Sequence, residues 1–454
     1  MRILMKSFTS SKKLRVSLVA GFVSLSLVTF GIQNATAVTE LRFAALAGID
    51  NNFKPVIDQW NKENPDIQIK VETLPAGIPE IVKNLAASSL AGNAPDIINN
   101  LDTYADQLAD VGFTEDLTKY FGTGPGALKR SNFNQAFLSS YVPINLPKQV
   151  HGLPIAADAT VIFYNKTLFK KAGVAAPKDG WTYDQYLKAC DAMSKWGAKQ
   201  KPQVWGSSGG PGGGSKSIWQ AQYNPFLRSV GAYTYDRNTN TSKIGAPEAI
   251  EAWKQLVKPW QSGCIPKYSI SSGKTPPTFQ GGQVAMETSV RALLPTYKAG
   301  LAEKKMEWDV VDMPTIKGKV SKYIIGGGSY GLGMAASSKN KAAAWKFIDW
   351  FYTTKNGGIN TLQAGGSLVP PTDAGIANGD WRKVAAPPAN INAFSRAIKN
   401  SFIAPKLPGQ AGTVLDTVIG DALAEILLKN VSVEAAFKKA EAKVTAAIKK
   451  ELAQ

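Results

Sequence analysis

Few side chains in this 454-residue sequence are of the kinds that carry out covalent chemistry. The one histidine, His151, excludes a His-rich metal centre and counts against a Ser-His-Asp arrangement. It lies in the turn His151-Gly152-Leu153-Pro154, where its ordinary role is structural. The two cysteines, Cys190 and Cys264, fit either a disulfide or two separate buried thiols, because spacing alone does not bring their Cα atoms together. Asp and Glu are numerous enough for the carboxylate pair of a glycosidase. Arg291 can grip a carboxylate or phosphate with two parallel N–H donors, or form a salt bridge to Glu287 four residues earlier. Two glycine-rich stretches look like nucleotide loops and fail the test. Residues 207–217 lack the G-x-x-x-x-G-K-[ST] spacing of a phosphate loop. Gly326 to Gly333 meets G-x-G-x-x-G without the long helix that should open directly after it.

The elements that would position these groups alternate. Leu41 and Phe43 mark a first strand, then Phe53, Ile57 and Trp60 recur at helical spacing until Asn64-Pro65 stops the helix. Ile67, Ile69 and Val71 alternate as a second strand, a helix from about Pro79 closes at Gly92, and 94–98 is a third strand. Val161-Ile162-Phe163 is a buried strand, followed by a helix that Gly173 closes and another entered through Thr182. Pro247 starts a helix whose Ile250, Trp253, Val257 and Trp260 form one apolar face, a core pattern rather than a ligand platform. A strand runs through Leu332 and Met334, and Ala344, Ile348 and Phe351 face one side of the next helix. Strands alternating with helices indicate α/β layering with largely parallel sheets.

The N-terminus reads as a leader. Arg2, Lys6, Lys12, Lys13 and Arg15 precede an apolar run from Val16 to Phe30, and Ala35-Thr36-Ala37 offers a small-x-small cleavage site. No cysteine stands near that site for lipid attachment, so a freely soluble exported protein is expected. The formal net charge is +18, of which the leader carries five positive residues and no negative one, leaving +13. The lysines are scattered, and the densest pairs (Lys438-Lys439 and Lys449-Lys450) are interspersed with Glu434, Glu441 and Glu451 as on a solvated helix face. No basic-aromatic module of a nucleic-acid binder is present.

Four separated motifs resemble those of family 1 extracellular solute-binding proteins, the sugar-binding components of ABC importers. They are Gly152-Leu153-Pro154 with Tyr164-Asn165-Lys166, Leu168 to Gly173, Pro177 and Trp181-Thr182; Gly112 with Leu117-Thr118; Phe279 to Met286; and Ser432 to Phe437. The order of Trp181 and Thr182 is reversed relative to the family pattern, and Val290-Arg291-Ala292 stands where maltose-type relatives often show a glycine-tryptophan pair.

The resemblance implies a two-lobed periplasmic-binding-protein fold of the type II kind, each lobe a mainly parallel sheet flanked by helices, joined by a multi-crossing hinge. The implied division is a signal peptide 1–37, a first lobe from 38–156 and 326–369, and a second from 157–325 and 370–454. A sugar offers apolar C–H faces and a rim of hydroxyls, so aromatic platforms with Asp, Asn, Glu or Arg partners are sought at strand ends. By alignment of motifs these are Asp50 and Asn51 in the first-strand loop, and Asn100, Thr103 and Tyr104 after the third strand. Asp158 lies where sugar-binding relatives carry an acidic contact, or it makes a hinge-turn hydrogen bond. Trp219, Tyr223 and Asn224 stand near the second-lobe aromatic contact, with a core role for one of the aromatics the favoured alternative; Glu287, Ser289 and Arg291 follow the Ala285-Met286 strand, and Gly328, Ser329 and Tyr330 complete the wall. The expectation is a monomeric binder without cofactor or metal and not an enzyme, exported to the periplasm or cell-envelope exterior, delivering a carbohydrate to ABC permease subunits. Alternatives are an acidic sugar, sugar phosphate or glycerol phosphate on the same scaffold, or a secreted carbohydrate-active enzyme. N-terminal sequencing of the exported protein should begin at Val38; a chain still starting at Met1 would count against the leader reading.

Overall fold

The computed structural model describes residues 38–46, 50–74, 78–156, 159–208, 220–267, 277–316, 323–325, 330–355, 357–363, 368–399, 401–403 and 406–453. Two sheets carry the fold. In the first, the strands Ile67–Leu74, Thr39–Leu46, Ile97–Leu101, Tyr330–Met334 and Leu153–Pro154 lie side by side in that order. The first three run parallel, and Tyr330–Met334 is antiparallel to both of its neighbours. In the second, the order is Trp308–Val311, Thr160–Asn165, Val284–Val290 and Trp205–Ser207, with two antiparallel ladders and one parallel.

The two-lobed α/β architecture is the expected one, but the sheets are mixed rather than mainly parallel. The reason lies in how the chain moves between them. Ile97–Leu101 belongs to the first lobe's own β-α-β winding, whereas Tyr330–Met334 arrives from the other lobe and enters from the opposite end. Thr160–Asn165 likewise begins just past a crossing, at the end where Val284–Val290 finishes, so Thr160 pairs with Val290.

Burial follows the period of each element. Along Thr39–Leu46, Leu41, Phe43 and Ala45 turn to one face, and Ala44 and Leu46 to the other, so the sheet is covered on both sides. One cover is the helix Asp50–Glu63 with the helix Lys341–Thr353, where Trp60 meets Phe347 edge-on at 5.3 Å and Trp350 at 5.2 Å. The other is made by Ile78–Leu90 and Asp102–Asp110. In the second lobe Phe163 sits among Tyr297, Trp308, Phe279 and Phe394, with centroids 4.8 to 6.1 Å away. The terminal helices Ala411–Lys429 and Val433–Leu452 join this core, Phe437 stacking on Trp253 at 4.1 Å. Ile250, Val257 and Trp260 are buried beside them.

The local signals act as their chemistry requires. Gly173 closes its helix at φ +66°, a left-handed conformation in which a side chain would be strained. Thr182 caps the helix Tyr183–Gly197 by accepting from the Gln185 amide, while the Gln185 side chain accepts from the Thr182 amide. Ser432 accepts from the Ala435 amide at the start of the last helix, and Lys438 and Lys439 pair with Glu434 and Glu425.

Cys190 and Cys264 form a disulfide, with Cα atoms 5.6 Å apart, which settles the two readings left open by their spacing. The bond ties the helix Tyr183–Gly197 to the turn after Lys258–Gln261 across 74 residues. Reduction, or replacement of both cysteines by serine, should remove about 2–4 kcal/mol of stability, read as a lower urea midpoint; an unchanged midpoint would show that the bond constrains nothing.

Candidate functional site

The candidate site is built from the strand ends where the chain passes between sheets. Ala157, Asp158, 326–329 and 364–367 lie outside the described residues. Asp158, Trp219, Gly328 and Ser329 are therefore expectations on which the described structure is silent. Asp50 and Asn51 form the first turn of the helix Asp50–Glu63, and Thr103 lies in the helix Asp102–Asp110; only their backbones are described.

Asn100 is wholly buried near the end of Ile97–Leu101. Its amide donates to the His151 carbonyl at 3.0 Å, and its neighbour Asn99 donates to the Gly331 carbonyl at 3.2 Å. These two side chains therefore bind the strand Tyr330–Met334 and the turn before Leu153 to the third strand. Tyr330 is half-buried opposite Leu101, and its carbonyl accepts from the Ile155 amide at 2.8 Å. His151 has the structural role its turn implied: Nδ1 meets Thr114 at 3.0 Å and Nε2 meets Gln149 at 2.7 Å, and burial pushes its pKa down.

Tyr104 and Tyr223 depart from the expectation of ligand platforms. Tyr104 is enclosed in the first-lobe core with Leu108 and Phe113, and its hydroxyl donates to the Asn99 carbonyl at 2.8 Å. Tyr223 lies in the second-lobe core, 5.4 Å from Trp253, with its hydroxyl on Asp416. Both sit on helices whose inward stripe they occupy, so packing claims the ring before a ligand can. Asn224 is buried on the same helix as Tyr223.

Glu287, Ser289 and Arg291 lie along one edge of the second lobe's core. The salt bridge between Glu287 and Arg291 does not form. That pairing supposes helical spacing, but Val284–Val290 is a strand, in which residues four apart are separated by roughly 13 Å. Glu287 instead accepts hydrogen bonds from the Tyr297 hydroxyl and, at 2.7 Å, from Ser208; Ser289 shares a 2.7 Å hydrogen bond with the same tyrosine. Burial raises the Glu287 pKa, and the hydroxyl donors only partly oppose it. Arg291 is fully enclosed, donating from Nη2 to the Trp381 carbonyl, with its guanidinium 4.8 Å from the Trp381 ring and 5.4 Å from that of Phe394. Burial pushes its pKa down to about 10.

Sequence reading passed over Asn99, Thr160 and Ser395. Their side-chain oxygens are buried without a protein partner, as are Asn100 Oδ1 and Arg291 Nε and Nη1. Folded proteins rarely leave such groups unanswered. The signal was available in part: Asn99-Asn100 and Thr160 are polar residues inside or opening apolar strands. Among the described residues no group of three or more His, Cys, Asp or Glu could hold a metal ion.

Residues 46–358, more than half of the chain, match the bacterial extracellular solute-binding protein family. This chain belongs to that family. Its members bind solutes and are not enzymes, and they act outside the cytoplasm. A Brucella abortus protein described as a binding protein is 26% identical over 460 aligned residues, covering 97% of this chain and 99% of its own length. The maltotriose-binding protein of Pyrococcus abyssi is 22% identical over 85% of this chain and 77% of its own. Among solved structures, an ABC substrate-binding protein from Listeria monocytogenes in complex with cycloalternan superposes with a TM-score of 0.74 at 21% identity, covering 90% of this chain and 99% of that one. That likeness is one of fold.

The buried carboxylate makes stability depend on pH. Because the folded-state pKa of Glu287 lies above its unfolded value of about 4.3, its contribution is fully present below that value and is lost as pH rises through the folded pKa. Glu287→Gln keeps a neutral acceptor there. Its melting temperature relative to wild type should therefore climb between pH 4 and 8; a pH-independent difference would show that Glu287 does not titrate abnormally.

Proposed function

We propose that this protein is the exported binding component of an ABC importer and captures a mono- or oligosaccharide between its two lobes. The observation that carries the reading is that relatives aligned along most of the chain have sugars as their named solutes: maltotriose for the Pyrococcus protein and cycloalternan for the Listeria complex. The site chemistry agrees. Buried hydrogen-bonding groups at the crossing ends of both sheets, Asn99 and Asn100 on one and Thr160 and Arg291 on the other, are what a rim of hydroxyls requires.

The lobes proposed are 38–156 with 326–369, and 157–325 with 370–454, following removal of 1–37. In support, the buried clusters draw on 41–155 and 332–351 for the first lobe, and on 159–316 and 369–448, with Phe137, for the second. Lys406 reaches between them to Asp106 at 2.6 Å, and Gln410 to Gln107 at 3.1 Å. Function is then capture, closure and docking: ligand shifts the lobes toward the closed state to the extent that it binds that state better. Asp158, Trp219, Gly328, Ser329 and Tyr330 stand as proposed wall residues beside Asn100.

A thermal-shift screen of the chain from Val38 onward against neutral mono- and oligosaccharides tests this. A sugar at 100 times its dissociation constant should add about 2.7 kcal/mol, a rise of a few degrees. Asp158→Ala should abolish that rise without lowering the melting temperature of the unliganded protein. Silence from every sugar, neutral and acidic alike, would remove the carbohydrate reading.

A further inference from the structure

Arg291 is a cation without an anion. It is wholly buried, and only Nη2 has a protein acceptor, the Trp381 carbonyl. Nε and Nη1 have none, which with the second N–H of Nη2 leaves four of the five guanidinium N–H groups unanswered. Among the described residues no ion pair or charged neighbour accompanies it. Enclosing a charge in this way opposes folding unless something compensates it. The rings of Trp381 and Phe394 hold the guanidinium plane in place, yet an aromatic face answers no N–H group at its edge.

Its position gives the arrangement a purpose. Arg291 directly follows Val290, which pairs with Thr160, and Thr160 stands just past the crossing at 157–158. Thr160 Oγ1 is itself buried without a partner. Ser395 Oγ, also unanswered, neighbours the Phe394 that stacks on the guanidinium. A preorganised cation thus stands just past the end of the second sheet's ladder, where Thr160 pairs with Val290. Arginine is the side chain best matched to carboxylate and phosphate oxygens, and a desolvated guanidinium attracts them more strongly than an exposed one. The formal charge of +13 beyond the leader favours anion approach over longer distances.

We infer that the solute is an acidic saccharide whose anionic group, a uronate carboxylate or a phosphate ester, is taken by the free N–H edges of Arg291. This rests on the carbohydrate reading, because it names the class of sugar. A neutral sugar answers the same donors with hydroxyls but leaves the charge uncompensated.

The test is calorimetric titration of the protein from Val38 onward with matched pairs: galactose against galacturonate, glucose against glucuronate and glucose 1-phosphate, and glycerol against glycerol 3-phosphate. The expected result is that one acidic series binds at least tenfold more tightly than its neutral counterparts, the uronate and phosphate arms telling which group is used. Arg291→Met should erase that ratio by weakening the acidic member at least tenfold more than the neutral one, and Arg291→Lys should keep part of it. Should the methionine variant fail to fold, the wild-type ratio and the lysine variant decide. Tighter binding of neutral sugars, or an acidic preference that survives in folded Arg291→Met, would overturn the inference and leave the carbohydrate reading intact. Silence from all neutral and acidic sugars would overturn both.

Discussion

Four strands meet the crossings between the two sheets, and their pairing is the constraint on which the rest of the structure depends. Ile97–Leu101 is locked to Tyr330–Met334 over five residue pairs, and Thr160–Asn165 to Val284–Val290 over five more. Because a strand's side chains alternate between faces, a slip of one residue in either ladder would turn every core residue outward. Register is therefore set by the two cores, and it fixes Asn99 and Asn100 within the first ladder and Thr160 and Arg291 at the end of the second. Asn99 and Asn100 donate from their amide nitrogens to backbone carbonyls and keep their oxygens free.

The two lobes meet this constraint with different chemistry. The first is apolar on both sheet faces and uses neutral amides at the crossing. The second buries two ionisable groups on the strand Val284–Val290 and just after it. Burial raises the Glu287 pKa while hydroxyls hold its carboxyl group, and Arg291 is under-coordinated. Such groups are expensive in a core, and they lie near the crossing end rather than deep in the helical layers. Strain of this kind is typical of sites whose remaining contacts come from outside the protein.

The disulfide and the terminal helices support the second lobe around these groups. Cys190 and Cys264 close over Gly206, where an added Cβ would fall 2.8 Å from the Cys264 sulfur and 2.2 Å from the Cys190 carbonyl oxygen. The strand Trp205–Ser207 is thereby pressed against Val284–Val290, and Ser208 is brought within reach of Glu287. The segment Asp380–Arg382, a short turn after the third crossing, supplies the carbonyl and the ring that hold Arg291.

Much of this was legible in the sequence, because local signals act locally. The period of Leu41 and Phe43, the stop at Asn64-Pro65 and the Gly173 and Thr182 caps depend on neighbours within a few residues; the α/β layering follows from their order, and the two lobes from the resemblance that Tyr164-Asn165-Lys166 and the other motifs carry. The sense of the sheets did not, since it depends on which lobe a strand arrives from. Nor did the fate of Tyr104, Tyr223 and Glu287: whether an aromatic or a carboxylate faces a ligand or a core is decided by elements far away in the chain, here Phe113, Asp416, Tyr297 and Ser208. The disulfide and the isolation of Arg291 belong to the same class. They are facts about distance between remote residues, and only the tertiary structure decides those.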